Sequence, residues 1–419
     1  MTLSPPRQRA EMSGIAEAPG KVWFWELAAA VIDADRCVQC GACVAACPTD
    51  SIGVGADNLP TLVKMCTGCA QCWDFCPRGG LAYESTWLPG EVREPAPLPA
   101  RSRAREEHCI TGADPAPALG RVQELVAARV DEASRHRTKT VQDGGVVTAI
   151  LLANLEAGEI DAAVVAREDP DHPWKGMPQL ATTPQEIREA AGSFYNQTMA
   201  LASLDLSAAG IEPEARLAVV GTPCEIQGIR ALQARQWRRG SSAVNQVVLT
   251  LALLCTKSFD YRKLMVRDLH DERGVDLAQV GKVDVTHGRM IVEDRSGAAI
   301  VDEPVKAFHG AALKGCDECA DFLGRAADIS VGSVGSEAGY STVLVRTDVG
   351  ARALSLVRGD LEVKDVPAPE ALEKLDRLDK TVAASSLKRP FDPDGPLFLD
   401  FAEHVTFYAG TDRAPVWQD

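Results

Sequence analysis

A run of four cysteines that occurs twice constrains this chain more than any other feature. The first run reads Cys37-Val-Gln-Cys40-Gly-Ala-Cys43-Val-Ala-Ala-Cys47-Pro48, and the second Cys66-Thr-Gly-Cys69-Ala-Gln-Cys72-Trp-Asp-Phe-Cys76-Pro77. Every cysteine of the first recurs 29 residues later, so one unit is repeated. Three thiolates, each two residues from the next, wrap three irons of a cubane in one loop. A fourth on the next helical turn, closed by Pro, reaches across to the sister cluster. The spacing therefore predicts one 4Fe-4S cluster on Cys37, Cys40, Cys43 and Cys76, and a second on Cys66, Cys69, Cys72 and Cys47. A pair of zinc knuckles is the alternative, but zinc sites draw on two separated pairs of ligands, which an unbroken run does not suit. A chain built this way carries electrons one at a time.

Composition narrows the setting. With 419 residues there is room for two or three domains and a well-buried core. A net charge of −15 argues against a nucleic-acid partner and against an anionic membrane surface. The thirteen cysteines are clustered, which indicates metal in a reducing compartment and not a secreted disulfide scaffold. No apolar stretch is long enough for a membrane span. The apolar segment from Val22 to Ile32 is broken by Glu26 and lacks a clean cleavage site, so a cytoplasmic location is expected.

Five regions follow from the pattern along the chain. Residues 1–30 form an N-terminal extension whose end packs on the cluster domain. Residues 31–88 are a bacterial-type ferredoxin-like domain for two 4Fe-4S clusters. Residues 89–119 are a Pro- and Arg-rich linker holding Arg101, Arg103, Arg105 and an isolated Cys109. Residues 120–385 are a mixed α/β domain, and 386–419 an irregular tail. The fold class expected is thus α+β followed by α/β.

Within the α/β region, Val122 to Val130 has helical spacing. Asp143 is placed to cap a helix that opens on Gly144 and Gly145 and stops at Gly158. Such a glycine-opened start favours phosphate, although packing alone would equally explain the pair. Ala162–Ala166, Leu217–Gly221 and Val247–Cys255 read as strands, Lys282–Asp294 as a hairpin, and Asp328–Thr347 as strand, glycine-rich turn, strand. If the strands before Cys224 and Cys255 share one parallel sheet, both thiols lie at its carboxyl edge, where ligand sites form. With the pair Cys316 and Cys319 they make four thiolates, enough for a third cubane; four unrelated buried thiols remain the alternative.

At Gln142-Asp-Gly-Gly145, Gly221-Thr-Pro-Cys224-Glu-Ile-Gln-Gly228, Leu254-Cys255, Cys316-x-x-Cys319-x-Asp-Phe322 and Ala327–Gly332 the chain resembles the beta subunit family of coenzyme F420 hydrogenases and dehydrogenases. The likeness covers most of residues 30–350 and is weakest at the first thirty residues and after about Gly350. It implies an FAD-containing iron–sulfur oxidoreductase. In such a protein the flavin, held in the α/β domain, exchanges hydride with coenzyme F420, and clusters pass single electrons to or from ferredoxin or another redox subunit. Carried over position by position, Cys224, Cys255, Cys316 and Cys319 are similar to ligands of a cluster beside the flavin. The flavin cradle implied comprises Gln142, Asp143, Gly144, Gly145 and Thr148, then Ser193, Tyr195 and Asn196, then Thr222, then Gly332, Ser333, Gly335, Tyr340, Ser341 and Thr342. The logic is physical as well: a deazaflavin exchanges two electrons at once, a cubane one, and a flavin does both.

Other groups are less specific. No nucleophile–base arrangement stands out, and His108, His136 and His287 read as surface residues. Lys257 reads either as a surface lysine or as a stabiliser of reduced flavin. Coenzyme F420 is anionic, so a local basic patch is expected, with Arg101, Arg103 and Arg105 or the better-placed Arg135, Arg137 and Lys139 as candidates. Two competing functions share these features: a same-family reductase of a chlorophyll-type ring, and a non-catalytic electron-relay subunit.

Overall fold

A computed structural model describes residues 23–69, 71–78, 119–120, 122–138, 141–233 and 240–387. The expectations for the extension before Trp23, for Arg101, Arg103, Arg105, His108, Cys109 and Lys139, and for the tail after 387 lie outside the described residues.

The cluster domain is small and built around its cysteines. Each run forms a short helical turn, Ala42–Ala45 and Gln71–Asp74, and two short strands, β1 (Ile52–Val54) and β2 (Pro60–Leu62), pair antiparallel between them. Phe24, Leu27 and Val31 pack on Cys43, Cys47, Cys72, Cys76 and Trp73, so the segment before the first run closes this core as expected.

The α/β region is one mixed sheet of eight strands. These are β3 (Glu124–Val130), β4 (Ala162–Asp169), β5 (His172–Ala181), β6 (Leu217–Gly221), β7 (Val247–Leu253), β11 (Ile329–Gly332), β12 (Ser341–Val345) and β13 (Leu361–Lys364). Their order is β13-β3-β12-β11-β7-β6-β4-β5. The central four, β4, β6, β7 and β11, run parallel, and antiparallel partners finish both sides. Alternation along the strands feeds two cores: Val164, Leu217 and Val219 face one side, and Ala163, Val165, Ala218, Leu249 and Leu251 the other. A separate sheet of β8 (Val280–Thr286), β9 (Arg289–Asp294) and β10 (Ala299–Pro304) packs with the segment Arg262–Asp271 around its own core of Leu264, Met265, Leu269, Val283, Met290, Val292 and Phe308. The hairpin at His287-Gly288 was legible in sequence; the independent core around it was not.

Two local expectations are corrected. Val122–Val130 is not a helix: Glu124–Val130 is an inner strand, hydrogen-bonded on one side to β12 and on the other to β13. Its alanines tolerate either state, and tertiary pairing decides. Asp143 does not cap the helix Val146–Glu156, because Gly145, in a left-handed conformation, occupies the capping position with no side-chain bond. Gly158 ends that helix region as expected, with φ of 65°.

The cluster domain docks on the sheet face that carries the helix Pro223–Gln233. Val38, Ala42, Ala45 and Phe75 join Leu217, Ile226 and Ile229 in one core. Small residues set the approach: a Cβ on Gly41 would lie 2.6 Å from the Ala202 nitrogen, and one on Gly228 would lie 3.1 Å from the Ala42 Cβ. A two-pronged ion pair from Arg36 to Glu318, 2.6 Å in both arms, fixes the other side.

Candidate functional site

The cysteines of the repeat cross over between the runs. The Cys43 thiol is influenced most, after burial, by Cys37 and Cys76, and that of Cys72 by Cys43, Cys69, Cys66 and Cys47. Cys47, Cys66, Cys69 and Cys72 also line one cavity together with Thr49, Ser51 and Thr67. Backbone N–H groups aim at the sulfurs: Gln39 at Cys37 and Gly68 at Cys66 (both 3.4 Å), Ser51 at Cys47 (3.2 Å) and Arg78 at Cys76 (3.4 Å).

This environment suits cluster ligands. Burial pushes the Cys37 thiol up to about 12 and those of Cys40, Cys43 and Cys72 well above the ordinary range. Such thiols become thiolates only against a strong positive charge such as iron, so cluster binding releases protons. The N–H donors then stabilise sulfur charge.

The second group forms where three strands end. Gly221 pairs with Ala252, and Leu253 with Val331, so the ends of β6, β7 and β11 are level. Cys224 sits in the first turn of the helix after β6, Cys255 two residues past β7, and Cys316 and Cys319 in and just after the turn Lys314–Glu318. The local sequence explains the first of these. Thr222-Pro-Cys-Glu225 is a helix start in which the Glu225 carboxylate accepts from the Thr222 N–H at 2.8 Å, with Pro223 in the first position. Gly221 makes room, since a Cβ there would lie 2.8 Å from Glu225 Oε2. The helix is then pinned to the sheet by Arg230, whose Nη2 donates to Asp328 Oδ2 (2.9 Å) and to Thr250 Oγ1 (2.8 Å).

These four thiols are neighbours. Burial raises Cys255 most, and next come the charges of Cys316, Cys224 and Cys319. Burial pushes Cys316 up to about 11. The Ser258 N–H points at Cys316 (3.5 Å), and Thr222 Oγ1 lies 3.1 Å from Cys224 Sγ. Gln197, buried, ties the two sides: it accepts from Ser258 Oγ (2.8 Å) and donates to Thr222 Oγ1 (2.9 Å).

Comparison with known proteins decides the lineage. Residues 125–205 match the coenzyme F420 hydrogenase/dehydrogenase beta subunit N-terminal model and 214–369 its C-terminal one, while 30–81 match a 4Fe-4S dicluster domain. The coenzyme F420 hydrogenase subunit beta of Methanosarcina barkeri is 33% identical over 265 residues, which is 63% of this chain and 88% of that protein. The chain belongs to the coenzyme F420 hydrogenase/dehydrogenase beta subunit family. The coenzyme F420-dependent sulfite reductase of Methanocaldococcus jannaschii is 28% identical and covers 90% of this chain, which spans 53% of that protein. A chain of the F420-reducing NiFe hydrogenase complex from Methanosarcina barkeri superposes with a TM-score of 0.60 at 31% identity, covering 65% of this chain and 94% of that one. The protein is therefore a family oxidoreductase with an N-terminal dicluster domain on a mixed α/β fold, and no helix among the described residues is long and apolar enough to cross a membrane.

The residues this family resemblance assigns to a flavin gather at the same carboxyl edge, with different degrees of freedom. Ser341 Oγ accepts from the Gly144 N–H at 3.1 Å, which joins the Gln142–Gly145 turn to the Gly332–Thr342 turn. Gln142, Thr148, Ser193, Thr222, Gly332 and Ser333 are half-buried, and Gln142 Nε2 donates to the Val283 carbonyl at 3.1 Å. Gly144 is required by packing, since a Cβ would lie 2.3 Å from the Ala128 carbonyl oxygen. Gly335 packs on Ala368, and Thr342 Oγ1 donates to the Val334 carbonyl (2.6 Å). Tyr340 is buried between Arg129 and Lys364 and bonds Glu362. Asn196 is taken up by Gly176, accepting from its N–H at 2.7 Å, and Tyr195 by Asp284 and the Val285 N–H. Asp143, raised to about 6 by burial and by Asp284, faces that carboxylate and Lys282.

Three readings of single residues change. His136 is not a surface residue: it is 2% exposed, with Nδ1 2.8 Å from Asp360 and Nε2 3.1 Å from Glu156. Arg135 pairs with Glu156 in the last turn of the helix whose first turn adjoins the cradle, so it lies at the far end; Arg137 stays near, donating to the Val130 carbonyl at 2.9 Å. Lys257 is half-buried and pairs with Asp317 beside Cys316. Sequence reasoning missed Gln197, Ser258 and Arg78. Only Arg78 carried a signal, as a charge directly after Cys76-Pro77.

Proposed function

We propose that this protein exchanges hydride between coenzyme F420 and a bound FAD, and passes single electrons through 4Fe-4S clusters to or from ferredoxin or another redox subunit. Cys37, Cys40, Cys43 and Cys76 hold one cluster, Cys66, Cys69, Cys72 and Cys47 a second, and Cys224, Cys255, Cys316 and Cys319 a third. The flavin, when bound, supplies the two-electron chemistry that cubanes lack. The chain supplies position. The N-terminus of the helix Val146–Glu156, free of a side-chain cap, presents N–H groups suited to a phosphate, and Thr148, Ser193 and Ser333 are half-buried polar groups available to the rest of the cofactor.

The observation that carries this reading is the meeting of two buried thiol groups, one from the repeat and one from the strand ends, beside the predicted cradle. The test is the cofactor inventory of anaerobically purified protein, followed by mixing with reduced coenzyme F420. Expected are roughly twelve irons, four per cubane, bound FAD, and bleaching of both flavin and clusters on mixing. Full iron without flavin would reduce the protein to an electron relay. Flavin with no response to reduced coenzyme F420 would point to another conjugated ring as substrate.

A further inference from the structure

Arg78 is 4% exposed, directly follows the Cys76-Pro77 end of the second run, and lies on the docking surface between the two thiol groups. Its N–H points at Cys76 Sγ (3.4 Å) while its side chain crosses to the other side, where Nε donates to the carbonyl of Gly315 (2.5 Å), next to Cys316. Nη1 donates to the Pro77 carbonyl at 2.8 Å. Among the described residues, then, the guanidinium donates to main-chain carbonyls. A buried cation is costly unless negative charge lies close. The charges that favour it are Cys319, Glu318, Cys224 and Cys316, and on the repeat side it acts on Cys37. Glu318 is already held by both arms of Arg36, and Asp317 by Lys257. What remains for Arg78 is thiolate sulfur from both groups.

We infer that Arg78 is a positioning residue for electron transfer: a fixed buried cation, shared by the cluster on Cys37, Cys40, Cys43 and Cys76 and the one on Cys224, Cys255, Cys316 and Cys319, that holds both reduction equilibria toward the reduced state. This rests on the three-cluster reading above. The physics is direct, because each cluster gains one negative charge on reduction, and a cation in a medium of low dielectric stabilises the charged product. A single cation between two centres also raises both reduction potentials together, so that they shift in step.

The test is an anaerobic redox titration of the full-length protein followed by paramagnetic resonance, with iron counted in every variant. Arg78→Gln is expected to keep its iron and to lose at least tenfold in the one-electron reduction constant of two clusters, about 59 mV toward lower potential, leaving the cluster on Cys66, Cys69, Cys72 and Cys47 unmoved. Arg78→Lys should restore most of the shift. Glu318→Gln removes a neighbouring negative charge and should move the same two clusters upward, which keeps the test open if Arg78→Gln fails to assemble. Unaltered potentials in a fully loaded Arg78→Gln protein, or no rise in Glu318→Gln, would overturn the inference. Wild-type protein with only eight irons, the content of two cubanes by the same count, would instead overturn the three-cluster reading on which it rests.

Discussion

The thiols of Cys40, in the first run of the repeat, and of Cys224, just past the end of β6, are both buried in one core. Beyond burial itself, Cys224 is the largest influence on Cys40, ahead of Cys76 in its own group. Both side chains belong to one core, shared by the cluster domain and the sheet. The group around Cys72 lies further out, reached through Cys43, and ends at the exposed Cys69. The group around Cys72 is thus coupled to the first through Cys43, and the first to the strand-end thiols through Cys40.

This grouping predicts separable losses. The double substitution Cys40→Ser and Cys69→Ser should remove about eight irons, and Cys316→Ser alone about four, with the sheet still folded by circular dichroism. Iron and sulfide contents equal to wild type in either protein would refute the corresponding assignment.

Arg230 and Asp328 form a buried ion pair at 7% and 0% side-chain exposure. Removing one partner strands the other charge, so Arg230→Met should cost on the order of 3–5 kcal/mol in denaturant unfolding. Because this pair pins the helix that carries Cys224, iron on the strand-end thiols should fall before the fold is lost. A stability change under about 1 kcal/mol would show that the pair is compensated elsewhere.

Gly144→Ala places a methyl group 2.3 Å from the Ala128 carbonyl and 2.8 Å from the Ser341 nitrogen, both of them backbone. Such overpacking should destabilise by about 1–3 kcal/mol and separate the two turns of the cradle. Flavin retention after gel filtration is the measurement; full retention would place the cofactor away from these turns.

Arg135 and Arg137 should differ as partners of an anionic substrate. Arg137→Met should raise KM for coenzyme F420 by no more than about fivefold, since an exposed charge contributes under about 1 kcal/mol, with less effect at high salt. Arg135→Met should change it little, because Glu156 already neutralises that side chain at the far end of the helix. Equal effects of the two would show that the substrate does not approach along this edge.

Asp379 carries a buried carboxyl pushed up to about 8, first by burial and next by the charge of Asp376. The folded protein therefore keeps this proton well above the unfolded value of 3.8, so stability is lost as pH rises from about 4 to 8, where the native state binds more protons. Its Oδ2 has no hydrogen-bond partner among the described residues. Asp379→Asn should flatten that slope and gain most near pH 8. Denaturation midpoints at pH 5 and 8 check this; a parallel pH dependence in the two proteins would assign the proton elsewhere.

Local chemistry settled much of this protein in the sequence alone. Spacing dictates which thiols one loop can present to a cluster, so the 4Fe-4S dicluster domain could be read directly from Cys37 to Cys76. Strands β4, β6, β7, β11 and β12 were legible because runs such as Leu217–Gly221 are buried on both faces, and Gly221-Thr-Pro-Cys-Glu225 announced a helix start. Tertiary structure decided the rest. Whether Glu124–Val130 was helix or strand depended on β12 and β13, distant in sequence. His136 became buried only because Asp360 and Glu156 converge on it, and Asp143 lost its capping role to the left-handed Gly145. The placement of Arg78 between two thiol groups arises where the cluster domain docks on the sheet. Burial and charge at such a junction depend on which surfaces meet, and no local pattern of residues encodes that.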